Sequence, residues 1–230
     1  MKHSNIKIPS KLDSDLAEVC GIHIGDGHLG WRKHKHEYLI PWSVNLTDDK
    51  EYFDFHVKDL WKKVFNIDLD FRSKSDNVYE LRVYSKKLAL FFNEFLELPF
   101  GSKTEKIRIP SIVKEASDNI RIACLRGIID TDFYLIKDRK YVELGAWFAS
   151  KVLILDLYDE FKKLGFLPTI RTDVRYYNSS AKKMLIRHQI RIRKKVDVQR
   201  WFELIGTNNP KIYKRYLGFI GLCPGGVDGR

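Results

Sequence analysis

The 230 residues suffice for one large domain or two small ones, and 41 Lys and Arg against 30 Asp and Glu give a formal net charge of +11. That charge favours a polyanionic partner, with nucleic acid as the first candidate, over a merely basic housekeeping fold. Three cysteines without C-x-x-C spacing exclude a zinc site or a disulfide scaffold, and no apolar run approaches the roughly 18 residues of a membrane span. We therefore expect a soluble, intracellular protein in the cytoplasm or nucleoid, with an organelle as the alternative.

The first half of the chain alternates between helical and strand-like patterns. We predict, in order, a helix over residues 13–26, a strand over 37–47, a helix that starts at Asp48 and Asp49 and stops at Asn66, strands over 68–74 and 78–84, and a helix over 86–96. A turn at 75–77 joins the last two strands, and residues 31–36 are predicted as a basic loop. In that loop His34 and His36 lack further metal ligands, so we assign them to DNA contact or plain solvation.

The second half of the chain repeats this order after a polar, basic connector at residues 99–110. We predict a helix around 122–132, a strand over 141–148, a helix over 151–164 stopped by Gly165, strands over 169–177 and 185–193, and a helix over 196–205. A duplicated half explains the repetition better than chance. The domain boundaries that follow are 1–99 and 113–222, with a linker at 100–112 and a flexible tail at 223–230.

A twelve-residue helical segment occurs twice without gaps, at an offset of 106. The two copies read LAEVCGIHIGDG over residues 16–27 and IACLRGIIDTDF over residues 122–133. Small residues recur at steps of four, on one face of each helix. They are Ala17, Gly21 and Gly25 in the first copy and Ala123, Gly127 and Thr131 in the second. Glycine inside a helix costs about 1 kcal/mol relative to alanine, so this stripe indicates two helix backbones that pack closely against each other.

Asp26 and Asp132 occupy equivalent positions at the C-terminal ends of the two helices. The helix dipole disfavours a negative charge there, and two carboxylates brought together repel each other. Such a pair either shares a proton or holds divalent cations, for which hard oxygen ligands suit Mg²⁺. In a protein that binds nucleic acid, the metal interpretation gains weight because two metal ions can stabilise in-line phosphodiester displacement. Asp130 aligns with Ile24, so we interpret it as a structural carboxylate.

These two segments resemble the paired motifs of a single-chain LAGLIDADG homing endonuclease, and the likeness covers nearly the whole chain. The resemblance implies an α+β fold of two pseudo-twofold-related αββαββα halves, each with an antiparallel, saddle-shaped sheet for DNA, packed through the two motif helices. It also implies a monomer that cuts both strands of a long, asymmetric DNA target across the minor groove, as in intron homing. The implied cofactor is Mg²⁺, for which Mn²⁺ can substitute. Metal binding is assigned to Asp26 and Asp132 with their neighbours Gly25 and Thr131.

Two departures from the family pattern keep an alternative open. Phe133 replaces the final glycine of the motif, and Ile24 replaces an acidic residue that many members carry. Phe133 would lower activity if it shifted the backbone after Asp132. The alternative is a catalytically inactive nucleic-acid binder, or an RNA maturase of the same fold that also binds RNA.

Several predicted strands carry a polar, basic face opposite an apolar one, which suits a sheet that packs on helices and lies in a DNA groove. Arg171, Asp173, Arg175 and Tyr177 are predicted to share one such face. The predicted DNA-binding residues are Ser43, Asn45, Arg72, Lys74, Arg82, Arg171, Arg175, Arg187, Gln189, Arg191 and Arg193. The faces of the two halves differ chemically, which predicts an asymmetric target. Charged strand faces that are merely solvated are the alternative.

Two lysines occupy matched positions after the sheets, in Gly101-Ser102-Lys103 and Asn209-Pro210-Lys211. By the resemblance, a lysine near the active centre polarises the nucleophilic water or stabilises the phosphate. Lys103 and Lys211 are the candidates for this catalytic role. Ordinary contact with the DNA backbone explains either residue equally well.

Overall fold

The two halves of the chain share one order of helices and strands. The structure, a computed structural model, describes residues 5–45, 47, 49–75, 77–137 and 142–221, and only the backbone of 71–75. The first half contains α1 (Ser14–Gly25), β1 (Gly30–Arg32), β2 (Glu37–Asn45), α2 (Lys50–Tyr52), α3 (Lys58–Phe65), β3 (Phe71–Ser75), β4 (Val78–Tyr84) and α4 (Lys86–Glu94). A π-helical stretch, Phe53–Val57, joins α2 to α3.

The second half follows a short helix at the end of the connector. Its elements are α5 (Ser111–Lys114), α6 (Asp118–Asp132), β5 (Tyr134–Lys137), β6 (Val142–Phe148), α7 (Lys151–Lys163), β7 (Thr169–Asn178), β8 (Lys183–Ile192), α8 (Lys195–Leu204) and α9 (Pro210–Ile220). Asn66 and Gly165 end their helices with positive φ angles of 56° and 78°, as the sequence predicts. No helix of the described residues is long and apolar enough to cross a membrane.

Each half forms a four-stranded antiparallel sheet with the same strand order. The orders are β1-β2-β4-β3 and β5-β6-β8-β7. One face of each sheet packs on helices: Trp42 of the first sheet and Ile190 of the second are almost completely buried. The predicted fold class, α+β with two αββαββα halves, is confirmed.

Helices α1 and α6 pack against each other through the predicted stripe of small residues. A Cβ atom on Gly21 would overlap the carbonyl oxygen of Cys124, and one on Gly127 would lie 2.7 Å from the backbone nitrogen of Ile22. Because main-chain atoms form these contacts, no side-chain rotation could relieve them. Glycine at both positions is therefore what allows the two helices to approach this closely.

We expect Gly21→Ala or Gly127→Ala to push α1 and α6 apart. The expected loss is about 1–3 kcal/mol of the free energy of unfolding, the usual range for overpacked cores. Denaturant unfolding would measure it, with Asn119→Ala at an exposed position of α6 as the control. An unchanged midpoint in both glycine variants would show that the helices can adjust without cost.

Several details of the sequence-based prediction are wrong. Residues 31–36 are not all loop, because Gly30–Arg32 forms β1 and Lys33–Lys35 a 3₁₀ turn. Strands β1 and β5 were not predicted, since three or four residues are too few to show alternation. Helix α9 was not predicted either.

Two predicted strands are longer than the observed ones, for local reasons. The strand predicted over 37–47 ends at Asn45, whose Oδ1 accepts a hydrogen bond from the Thr47 N–H at 2.9 Å and turns the chain. The strand predicted from Asp68 begins at Phe71, since Asp68 pairs with Lys62 at 2.6 Å at the end of α3. Asp48, Asp76 and the predicted tail at 223–230 lie outside the described residues.

Candidate active centre and nucleic-acid interface

The two predicted carboxylates lie at helix ends that converge. Helix α1 ends at Gly25, and the backbone N–H of Asp26 still donates to the carbonyl of Ile22 at 3.0 Å. Asp132 is the last residue of α6. A Cβ atom on Gly25 would overlap Thr131 Oγ1 and Asp132 Oδ2. The end of one motif helix therefore meets the end of the other, as the repeated motif predicts.

Both carboxylates have pKa values above their usual range. For Asp132 the cause is burial, which the charge of Lys103 and a hydrogen bond from Thr131 only partly offset. For Asp26 burial also comes first, followed by the charges of Asp132 and Asp49, while Lys103 again lowers the pKa. The two acids titrate as a pair, and the charge of Asp132 contributes to the raised pKa of Asp26. Asp26 as a whole residue is nevertheless exposed, so the pair lies at the protein surface, where an ion can reach it.

Lys103 supplies a positive charge at this pair. Its Nζ donates to the carbonyl oxygen of Ile24 at 2.9 Å and to that of Gly25, at the C-terminal end of α1. Burial lowers the pKa of Lys103, whereas the charges of Asp132 and Asp26 raise it. The ammonium group therefore sits where the helix dipole and both carboxylates attract a cation.

The donor atoms at this centre fit a hard divalent cation. Two carboxylates with raised pKa values lie close enough to interact, and the Gly25 carbonyl oxygen already accepts from a cationic group. All these donors are oxygen atoms, which Mg²⁺ prefers. No group of three or more His, Cys, Asp or Glu side chains that could hold a metal occurs within the described ranges.

The raised pKa values predict how pH affects stability. An acid whose folded pKa exceeds its unfolded value destabilises the fold as pH rises from the unfolded pKa, about 3.9, through the folded one. We therefore expect Asp132→Asn to melt higher than the parent at pH 8, by roughly 2–4 °C, the shift that about 1 kcal/mol causes at this size. At pH 4 the difference should nearly vanish.

Calorimetric melting in metal-free buffer, repeated with Mg²⁺, measures both effects. Added Mg²⁺ should raise the melting temperature of the parent at pH 8 and leave Asp132→Asn almost unchanged. A variant that melts lower than the parent at pH 8 would contradict the cost of keeping Asp132 ionised in its buried position.

Lys211 is not placed like Lys103, although the sequence aligns the two. Pro210 and Lys211 open helix α9, where the Lys211 N–H donates to Asn209 Oδ1 at 3.0 Å. The half-buried Lys211 side chain lines a cleft with Lys50 and Lys214. The equivalence of the two lysines thus breaks down because α9 has no counterpart at Lys103.

Asp130 has the contacts of a structural carboxylate, in agreement with its interpretation from the sequence. It is buried, accepts hydrogen bonds from the Thr207 hydroxyl and the Asn208 N–H, and ties α6 to the segment before α9. Burial raises the pKa of Asp130 to about 7, against these two hydrogen bonds.

The first sheet presents its predicted DNA-binding residues on the face away from the helices. Ser43 and Asn45 on β2 and Arg82 on β4 are exposed. In the strand register Ser43 lies opposite Glu80, which forms an ion pair with Arg82. The side chains of Arg72 and Lys74 lie outside the described part of the chain.

In the second sheet, a β-bulge overturns part of the predicted face. Arg171 pairs with Gln189, but Arg175 pairs with Ile186, because the register shifts between Arg171 and Val174. An odd shift moves later residues to the opposite face. The alternation predicted that Arg175 and Tyr177 share the face of Arg171. This prediction is wrong, because the bulge places both residues on the opposite face.

The remaining predicted residues of the second sheet differ in accessibility. Arg193 is exposed and Arg187 half-buried, whereas Gln189 and Arg191 are only 4% and 9% exposed. Arg191 donates from Nε to Thr169 Oγ1 at 3.2 Å. These two side chains are therefore held within the sheet face.

Sequence reasoning missed four residues of these sites. Asp49 was assigned a helix cap, yet it makes no capping hydrogen bond and its charge acts on Asp26. Tyr134, Glu143 and Trp147 lie on the polar face of the second sheet, around Gln189 and Arg187. The alternation of Glu143, Gly145 and Trp147 with buried Leu144 and Ala146 was the signal that could have revealed two of them.

Comparison with solved structures identifies the class of fold. I-DmoI in complex with DNA and Ca has a TM-score of 0.61 at 19% identity, over 91% of this chain and 100% of that chain. I-SmaMI bound to uncleaved DNA has a TM-score of 0.52 at 13% identity, over 92% of this chain and 90% of that chain. The chain has the fold of the single-chain LAGLIDADG homing endonucleases, so the resemblance seen in the sequence is confirmed for the fold.

No family model matches the chain, and its curated relatives are much longer proteins. Glutamine–fructose-6-phosphate aminotransferase of Methanocaldococcus jannaschii is 25% identical over 217 residues, which cover 93% of this chain and 17% of that protein. The DNA polymerase of the same organism is 26% identical over 151 residues, which cover 59% of this chain and 8% of that polymerase. The chain thus spans less than a fifth of the length of these relatives.

Proposed function

We propose that this protein is a metal-dependent endodeoxyribonuclease that cleaves both strands of a long, asymmetric DNA target across the minor groove. The observation that carries the proposal is the convergence of Asp26 and Asp132, one from each half, at the ends of two closely packed helices. One carboxylate per half suits a duplex, in which each half addresses one strand.

The residues of the centre have separable tasks in this proposal. Asp26 and Asp132 bind divalent metal, Mg²⁺ or Mn²⁺, with oxygen atoms of Gly25 and Thr131. When held there, such a metal would supply charge stabilisation for an in-line displacement at the phosphate. Lys103 adds a buried positive charge beside the scissile phosphate. The basic sheet faces hold the DNA on both sides of the centre.

The curated relatives support a homing role. Four proteins whose names denote different activities match this chain. In each of them the match covers only 7–17% of the relative's length. A module that recurs inside unrelated proteins is typical of a mobile element. We therefore propose that the cleaved site is the insertion site of such an element, and that the enzyme acts as a monomer.

The proposal of an inactive binder rested on Phe133, whose ring packs against Phe148 and Phe161. Its backbone turns from α6 directly into β5, and Asp132 keeps its place at the helix end. The geometry at Asp132 thus supports the active enzyme.

Cleavage of a plasmid pool with random inserts, followed by sequencing of the cut ends, tests the function. We expect linear products with Mg²⁺ and none with EDTA, and ends that share one long asymmetric sequence. Products without a shared sequence would contradict the site specificity, and intact plasmid with Mg²⁺ would contradict the nuclease.

A further inference from the structure

A relay of hydrogen bonds runs across the polar face of the second sheet. Glu143 Oε2 accepts from Arg193 Nε at 2.7 Å, and Glu143 Oε1 accepts from the Tyr134 hydroxyl at 2.8 Å. The Tyr134 oxygen accepts in turn from Gln189 Nε2 at 2.8 Å. Glu143 is 6% exposed and Gln189 is 4% exposed, so water does not compete freely for these bonds.

The direction of every bond in this relay is dictated by Glu143. Burial opposes the charge of Glu143, but hydrogen bonds from Arg193 and Tyr134 outweigh burial and keep its pKa below the usual value. An ionised carboxylate can only accept hydrogen bonds, and a guanidinium can only donate. The single proton of Tyr134 must therefore point to Glu143, which leaves the phenol oxygen as an acceptor for the amide nitrogen of Gln189.

Because Gln189 Nε2 donates to Tyr134, the amide oxygen Oε1 is the polar atom of Gln189 that the relay does not use. Gln189 Oε1 is buried and has no hydrogen-bond partner. A buried acceptor without a partner costs free energy that a ligand with a matching donor would recover. Trp147 and Arg171 lie opposite Gln189 on the neighbouring strands, on the face that points away from the helices.

We propose that Glu143 is a positioning residue that sets the base preference of Gln189. Through Tyr134 it holds Gln189 Nε2 and leaves Oε1 as the amide atom that can accept a hydrogen bond from a DNA base. An acceptor in the major groove pairs with the amino group of adenine or cytosine and repels the carbonyl of guanine or thymine. This inference rests on the proposed DNA-binding function and adds a specificity to it.

The first half offers a matched control. Glu37 lies opposite Arg32 in β2 and β1, in the register position that Glu143 occupies opposite Ile136 in β6 and β5. The two glutamates are 106 residues apart, the same offset as the two motif aspartates. The Glu37 side chain is 39% exposed and lies 3.6 Å from Arg32, in contrast to the buried Glu143.

Replacing Glu143 with glutamine should reverse the relay. Arg193 can only donate, so it holds the new amide oxygen, and the new amide nitrogen then donates to Tyr134. The Tyr134 proton turns to Gln189 Oε1, and Gln189 presents Nε2 to the DNA. Glu143→Gln should therefore change the preferred base from adenine or cytosine to guanine or thymine at one position.

Selection of bound duplexes from a randomised DNA pool tests this directly. Each variant is made in the Asp26→Asn background, so that binding is measured without cleavage. We expect discrimination at one position of one half-site to change by roughly tenfold in Glu143→Gln and to be lost in Tyr134→Phe. Glu37→Gln should keep the parent profile, and thermal melting checks that each variant is folded.

The outcomes separate this inference from the function on which it rests. A Glu143→Gln profile equal to that of the parent, or a weakening spread evenly over the whole site, would overturn the role of Glu143. If Glu143→Gln does not fold, a Tyr134→Phe profile that keeps the parent preference overturns it instead. A parent that enriches no sequence at all would overturn the DNA-binding function itself.

Discussion

We expect Asp26→Asn and Asp132→Asn each to abolish double-strand cleavage while DNA binding survives. Each change removes one carboxylate charge and one proposed metal ligand without changing the size of the side chain, at helix ends that meet. We expect a rate loss of about a thousandfold or more, because the charge that stabilises the transition state is lost. Gel assays with a cleavable duplex measure the rate, and mobility shifts measure binding.

Asp130→Asn is the control for this pair, two residues from Asp132 but bonded to Thr207 and Asn208. It should lower thermal stability, because the amide of asparagine can accept only one of these two hydrogen bonds, and keep most of the cleavage rate at a temperature where it is folded. A large loss of cleavage in a folded Asp130→Asn protein would place a third acid in the chemistry.

Lys103→Met is expected to have the second largest effect. The change keeps the length of the side chain and removes the ammonium group that donates to Ile24 and Gly25 beside both acids. Loss of one preorganised charge in a buried site costs about a hundredfold in rate. Single-turnover cleavage at saturating Mg²⁺ would measure it.

Variants of two other lysines serve as controls for Lys103→Met. Lys106→Met removes an equal charge from an exposed position three residues away and should leave the rate almost unchanged. Lys211→Met should have a smaller effect than Lys103→Met, since Lys211 lies at the start of α9. Equal losses in Lys103→Met and Lys211→Met would instead support two equivalent catalytic lysines.

The helix interface could be predicted from the sequence because its cause is local. A glycine stripe at steps of four has few explanations other than a close helix contact, and Gly21 and Gly127 make that contact through main-chain atoms. The equivalent positions of Asp26 and Asp132 then followed from the repeat alone. Chain order and hydrophobic periodicity likewise predicted most of the long helices and strands.

What the sequence could not predict depends on distant residues or on register. Strand β1 exists because Gly30–Arg32 pairs with β2, not because three residues favour a strand. The bulge after Arg171 moves Arg175 to the other face, and a simple alternation cannot reveal it. The Glu143, Tyr134 and Gln189 relay joins three strands, so only the sheet register shows it.

Digestion of a supercoiled plasmid that carries the target sequence recovered from the plasmid pool tests the central claim most directly. The parent and the double variant Asp26→Asn, Asp132→Asn are incubated with Mg²⁺ under identical conditions. If one centre built by both halves performs the cleavage, the parent yields linear DNA and the double variant binds the target without nicking either strand. Linear DNA from the double variant would contradict the assignment of the chemistry to these two carboxylates.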